Sequence, residues 1–285
     1  MKKVLLSFLA LATFQLSAQE LPAPSPSSTL NQKVGLTEFT VKYSRPGVKG
    51  RKIYGDLVPF GSLWRTGANK ATAISFDTPV KFAGKEVPAG DYSIFTIPNE
   101  DTWTFILNKN TELWGTDGYE ESEDVLRLSV EAEKMEMIET FTIDFQDIMK
   151  GEANLVISWA GFGIKVPVKV DVQKKAMMNI KEALANSKEE DLWRVNRNAA
   201  AYYSRNDIDQ KKALAFINTS LEMKKDSWYS HFMKGEILNK LGQKKEALES
   251  AEMAMEMGMS EAQKEGKEFA YGDMIKKAMK EWSGK

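Results

Sequence analysis

The period of the apolar residues changes once along this chain, at about residue 173, and that change constrains the fold more than any motif does. Before it, apolar positions alternate with period two. "FTVKY" (39–43) puts Phe39, Val41 and Tyr43 on one face. "YSIFTI" (92–97) is partly apolar on both faces. "WTFIL", "VLRLSV", "MIETFTIDF", "NLVISW" and "IKVPVKV" follow, rich in β-branched and aromatic residues. "AGK" (83–85) and "AGFG" (160–163) read as hairpin turns, where glycine is free to take positive φ, and "PNED" (98–101) reads as another turn. Roughly nine or ten short strands in close succession predict an all-β sandwich or barrel over 32–172. Pro88 and Pro167 are expected at strand ends or edges, because proline cannot donate to a ladder.

After residue 173 the period becomes helical, and the sequence repeats itself at a spacing of 34 residues. Ala201 aligns with Gly235, Ala213 with Ala247, Leu214 with Leu248 and Ser220 with Ala254. Small residues recur where two helices of a hairpin must approach closely. Helices are predicted at about 174–186, 190–204, 209–222, 228–240, 244–257 and 261–282, as three stacked hairpins. With Gly242 after the fourth helix, this spacing resembles the tetratricopeptide repeat, although the proline usual after the second helix is missing. The fold class expected is therefore multi-domain β + α: an antiparallel β-sandwich or barrel, then an α-helical tetratricopeptide-like solenoid over 173–285. Trp282 is expected to cap its core.

The N-terminus carries an address. Met1-Lys2-Lys3 is positive, Val4 to Leu16 is mostly apolar, and Ser17-Ala18 are small. This is the layout of a secretory signal peptide over 1–18, with cleavage after Ala18. The apolar run falls short of the roughly 20 residues a spanning helix needs, and no later stretch is long enough, so no membrane span is expected after cleavage. "ELPAPSPSSTLNQ" (20–32), which covers nearly all of the expected lead-in 19–31, holds three prolines and four Ser or Thr and reads as flexible. The expected location is exported, either periplasmic or secreted.

The β half also carries a resemblance. "SPSSTLNQKVGL", "VKYSRPGVKGRKIYGDLVPFGSLWRTGANKAT", "VPAGDYSIFTIP", "TWTFILNK" and "LWGTDGYEESEDVLRLSV" resemble an exported domain-of-unknown-function family typical of Bacteroidota, over residues 25 to about 172. The resemblance supports export and the domain boundary. It implies no activity and no catalytic residue.

Several chemistries lack their residues. There is no cysteine and only one histidine, His231, so a thiolate site, a Cys-His pair and a zinc site of several His or Cys ligands are excluded by count. No cofactor is expected. A net charge of −1 argues against nucleic acid. "GVKGRKIYG" lacks the spacing of a phosphate-binding loop. "TDGYEESED" lacks the ligand order of a calcium loop and reads as solvated.

Charge is uneven. Between Arg45 and Lys70 lie six cations and one acid, whereas residues 112–139 hold ten acids and two cations. One reading makes the basic stretch an anion site. Arg45, Lys49, Arg51 and Arg65 would hold a carboxylate or phosphate, Trp64 and Trp114 would offer flat walls, and Asn69 would complete the loop "WRTGAN". The other reading has the two stretches neutralise each other. The function expected is an exported binding or scaffold protein, with the helical repeats taking a peptide or protein and the β domain a small anionic or glycan ligand. The alternative is an envelope enzyme, hydrolase-like, with a carboxylate-based site near Arg45, Arg65 and Asn69.

Overall fold

The computed structural model describes residues 21–284. The expected signal peptide, 1–18, lies outside the described residues. The chain divides into two compact units at Val172/Gln173.

The first unit is built from eleven antiparallel strands. They are β1 (Ser27–Val34), β2 (Thr37–Ser44), β3 (Thr72–Phe76), β4 (Val80–Phe82), β5 (Lys85–Val87) and β6 (Gly90–Ile97). Then come β7 (Thr102–Asn108), β8 (Asp124–Lys134), β9 (Thr142–Gln146), β10 (Glu152–Trp159) and β11 (Phe162–Val170). The sheet runs β1-β2-β3-β6-β7-β8-β11-β10-β9, with the β4–β5 hairpin attached to β11. It curls into a nearly closed barrel. The seam between β2 and β9 is sealed by single contacts instead of a ladder. The Tyr43 hydroxyl donates to the Ile143 carbonyl and accepts from its N–H, both at 3.2 Å. Past the end of β2, Phe141 N–H donates to Pro46 O at 2.9 Å and Val48 N–H to Glu139 O at 2.7 Å.

The alternation of β2 sends Thr37, Phe39, Val41 and Tyr43 inward. Phe39, Val41 and Tyr43 join Trp103, Phe105, Phe82, Phe141 and Trp159 in one continuous core. The outer face carries a smaller cluster of Ala71, Phe95, Ile106 and Leu113. Ala83 and Gly84 (φ 44° and 85°) and Ala160 and Gly161 (φ 51° and 78°) close two-residue hairpins with both φ positive. This geometry matches the twist of the flanking strands.

Three sequence expectations need correction. The lead-in 19–31 is not wholly flexible: its last five residues are the first half of β1, paired with β2 from Ser27↔Ser44 to Val34↔Thr37. An edge strand needs backbone partners on one side only, so polar residues suffice to build it. β3 was not among the strands expected. Pro167 is not at a strand end but inside β11, opposite Asn154. Its carbonyl accepts from Ala83 N–H, so its nitrogen faces the gap where pairing with β8 ends at Ile164 and pairing with β4 begins at Val168. No ladder bond is lost there.

The second unit holds α1 (Val172–Asn186, beginning at the boundary), α2 (Leu192–Arg205), α3 (Gln210–Met223), α4 (Trp228–Lys240), α5 (Lys244–Lys264) and α6 (Gly272–Ser283). The Asp209 carboxylate caps α3 by accepting from Lys212 N–H, and the Ser227 hydroxyl caps α4 by accepting from Ser230 N–H. The extensive pairs are α2 with α3 and α4 with α5. The hairpins therefore fall one helix later than three successive pairs would place them, with α1 and α6 flanking. This phase follows the 34-residue repeat: Ala213, Ser220, Ala247 and Ala254 are all fully buried. α5 runs on to Lys264 instead of ending near 257, and Gly258 in its interior leaves room for the ring of Phe269. Trp282 stacks on Phe232, with ring centroids 5.9 Å apart.

Glu236 on α4 yields a pH-dependent prediction. Burial pushes its carboxyl above the ordinary carboxylate range, while Arg205 and Lys240 pull the other way. Between the unfolded and folded pKa values the folded chain holds a proton that the unfolded chain has released. Stability from this group is therefore present at acid pH and lost as pH rises through that window. Glu236→Gln raises the melting temperature of the helical unit at neutral pH, and the gain disappears below about pH 4. Thermal melts of both proteins at the two pH values check this.

Candidate functional site

The basic stretch of the β unit folds mostly into structure. Trp64 is 8% exposed. Its ring stacks on Trp159 (6.2 Å between centroids) and meets Phe141 and Trp103 edge-on. The indole N–H donates to Gly67 O at 3.0 Å. Trp64 is thus a core residue and not an open wall for a ligand. Thr66, β-branched and fully buried, sits at φ 54°. Its hydroxyl lies 3.1 Å from the Thr96 hydroxyl, and its carbonyl accepts from the Thr72 hydroxyl. Contacts on several sides hold this strained corner in place.

The other candidates scatter. Arg45 donates from Nε to Phe141 O (3.0 Å) and from Nη2 to the Thr142 hydroxyl (2.8 Å), bracing the β2–β9 seam. The Lys49 backbone N–H donates to the Glu139 carboxylate. Arg51 turns back onto its own loop, donating to Val48 O and Gly47 O. The Asn69 amide donates to Ser44 Oγ and Ser25 O. Trp114 is 69% exposed. The basic and acidic stretches meet through Lys70–Glu112 at 3.0 Å. Among the described residues Arg65 takes no part in an ion pair, and its Nε is buried without a hydrogen-bond partner.

Nor is "TDGYEESED" wholly solvated. The Asp124 side chain is 4% exposed. Its carboxylate accepts from Tyr119 Oη (2.7 Å), Asn108 Nδ2 (2.9 Å) and Arg127 Nη1 (2.7 Å). The hydrogen bond to Asp124 raises the Arg127 pKa further. Among the described residues no group of three or more His, Asp or Glu side chains could hold a metal ion. No helix of the described residues is long and apolar enough to cross a membrane.

A family model described as a protein of unknown function, DUF2911, matches residues 25–168. The chain belongs to that family. Comparison with curated proteins and with solved structures finds no match. The DUF2911 match ends within β11, so the helical unit lies outside it.

Beyond the DUF2911 region, the helical unit assembles a cluster that the sequence reading passed over. The ring of Trp193 on α2 is approached by Lys224 Nζ (4.5 Å), Arg197 (5.1 Å) and Arg194 (5.3 Å). Arg197 also lies 5.6 Å from the ring of Tyr229 on α4. The Tyr229 hydroxyl accepts from Arg205 Nη2 at 2.6 Å. Arg194 has an acid nearby, Asp191, at 3.4 Å. Among the described residues neither Arg197 nor Lys224 is in an ion pair. A signal was available: Trp193 and Arg197 are four apart, neighbours on one helix face. Lys224 and Tyr229 join them only through packing. The lone histidine does not join a relay: His231 Nε2 lies 3.0 Å from Lys225 O.

Proposed function

We propose that this is an exported binding protein of the Bacteroidota envelope, periplasmic or secreted. Its tetratricopeptide-like helical unit holds an acidic segment of a partner protein, and its β unit takes a small anionic or glycan ligand. One observation carries the reading: three cations crowd the Trp193 ring, and two of them lack an acid among the described residues. Like charges held together repel, and an anion placed among them relieves that repulsion. Rings of Trp and Tyr beside arginine are also what well-defined protein-recognition surfaces use.

The test is binding of a fluorescein-labelled Glu-rich peptide to the full chain. Affinity is expected to fall at least about tenfold with Arg197→Glu and to weaken as salt is raised, the behaviour of an exposed charge interface. Equal affinity for wild type and Arg197→Glu sinks the reading. A hydrolase-like site near Arg45, Arg65 and Asn69 has less support, because Arg45 and Asn69 are already occupied by structural hydrogen bonds.

A further inference from the structure

The β unit has a cavity of about 450 Å³ where the 48–54 loop, Phe60, the β6–β7 turn, Met137 and the β10–β11 hairpin converge. That volume lies within the range of small-molecule sites. We propose that this cavity, and not the Arg65 corner, binds a small aromatic organic anion. The ring would lie among Phe60, Met137 and Phe162, and the acid would face Lys52. The proposal rests on the reading above that the β unit takes a small anion, and it moves that anion to a different place.

Four observations carry it. First, the mouth is apolar and open: Phe60 is 36% exposed and Met137 is 65% exposed. Second, the wall is aromatic. Tyr54 meets Phe162 edge-on with centroids 5.5 Å apart, and Trp103 lies 5.1 Å from Tyr54. Aromatic rings favour such edge and offset contacts with a further ring. Third, among the described residues the Tyr54 hydroxyl and Trp103 Nε1 are both buried without a hydrogen-bond partner. Buried polar atoms are nearly always paired, so an orphan hydroxyl on a residue that lines the cavity, with a second orphan on the ring it touches, points to a missing partner. Burial pushes the Tyr54 phenol far above its ordinary range, so at neutral pH it remains a donor. Fourth, the rim has two cations, Arg51 and Lys52, against one acid, Glu100. Arg51 turns back onto its own loop, donating to Val48 O and Gly47 O, so it adds positive charge to the rim while Lys52 makes the direct contact. Among the described residues Lys52 is in no ion pair.

The probe is 4-hydroxyphenylacetate, with phenylacetate and tyramine as its relatives lacking the hydroxyl and the negative charge. Saturation-transfer NMR and calorimetry on the full chain are expected to give a dissociation constant between about 10 μM and 1 mM at low salt. Tyramine is expected to bind at least about tenfold more weakly, and Lys52→Glu to weaken the anion by a similar factor. Met137→Trp, at an exposed position, fills the mouth and abolishes the signal. Tyr54→Phe weakens 4-hydroxyphenylacetate but leaves phenylacetate unchanged. Tyramine binding as well as the anion overturns the proposal. So does binding that ignores both Lys52→Glu and Met137→Trp, although the β unit would then still be a binder of anions elsewhere. No saturation transfer from either carboxylate up to about 10 mM overturns it together with the small-anion reading of the β unit. The Arg197→Glu result concerns the helices alone and stands apart from all of these.

Discussion

Trp159→Ala lowers the unfolding free energy of the β unit by about 3–5 kcal/mol, the cost of removing a large buried aromatic and leaving its cavity. Trp159 is 1% exposed and ends β10. It stacks on Trp64 and meets Phe141 edge-on at 6.0 Å. Its indole N–H donates to Glu139 O at 3.2 Å, the same carbonyl that receives Val48 N–H. One side chain therefore joins β10, the approach to β9 and the loop after β2. Since a whole domain is stable by only about 5–15 kcal/mol, the loss is a large fraction of the total. Trp159→Phe keeps most of the packing and loses the hydrogen bond, leaving Glu139 O its bond to Val48, so it costs less. Urea unfolding followed by the strand signal in circular dichroism measures both. A change under about 1 kcal/mol for the alanine variant would show that the core closes over the gap.

Gly235→Leu has an effect of similar size on the helical unit. A Cβ at 235 would stand 2.9 Å from Ala247 O and 3.0 Å from the ring of Trp282. The first neighbour is helix backbone and cannot swing aside. The second is held in its stack on Phe232. Overpacking usually costs about 1–3 kcal/mol, and leucine adds three further carbons at this contact, so the upper end or beyond is expected. Gly235→Ala gains about 1 kcal/mol of helix propensity, which offsets part of the same clash. The helical transition in a thermal melt should fall sharply for leucine and less for alanine. Adding Trp282→Ala to Gly235→Leu removes one obstacle and leaves the Ala247 carbonyl, so rescue should be partial at best. A leucine variant that melts like wild type would mean that α4 and α5 can separate without loss.

These two positions differ in how far sequence alone could reach them. Gly235 was visible because a 34-residue repeat marks its own close contacts with small residues. The change from strand to helix was visible because the two periods differ and turn residues sit between strands. β1 was hidden, since an edge strand can be polar and its Pro- and Ser-rich approach looks like a linker. The helix pairing was hidden in phase, because six helices count as three pairs from either end. The corner Trp64–Asn69 misled for a chemical reason. Tryptophan beside arginine suggests recognition, but the indole N–H finds Gly67 O only three residues away. Nothing in composition reveals that such a polar handle is already satisfied. The cavity at Tyr54 draws on residues from 48 to 162, a span no local pattern can join.

The seam of the barrel has a consequence in time. Tyr43 and Ile143, which seal it, are 100 residues apart in the chain. In the helical unit Ser220 reaches Trp193 across only 27 residues. Distant contacts form slowly because a long loop must close before they yield anything, whereas local helix pairs form early. On dilution from denaturant the chain should regain helix first and its tryptophan-rich β core later. On the ribosome the order of the gene works against this: the slow half emerges first, and it cannot seal until β9 has followed β2 out.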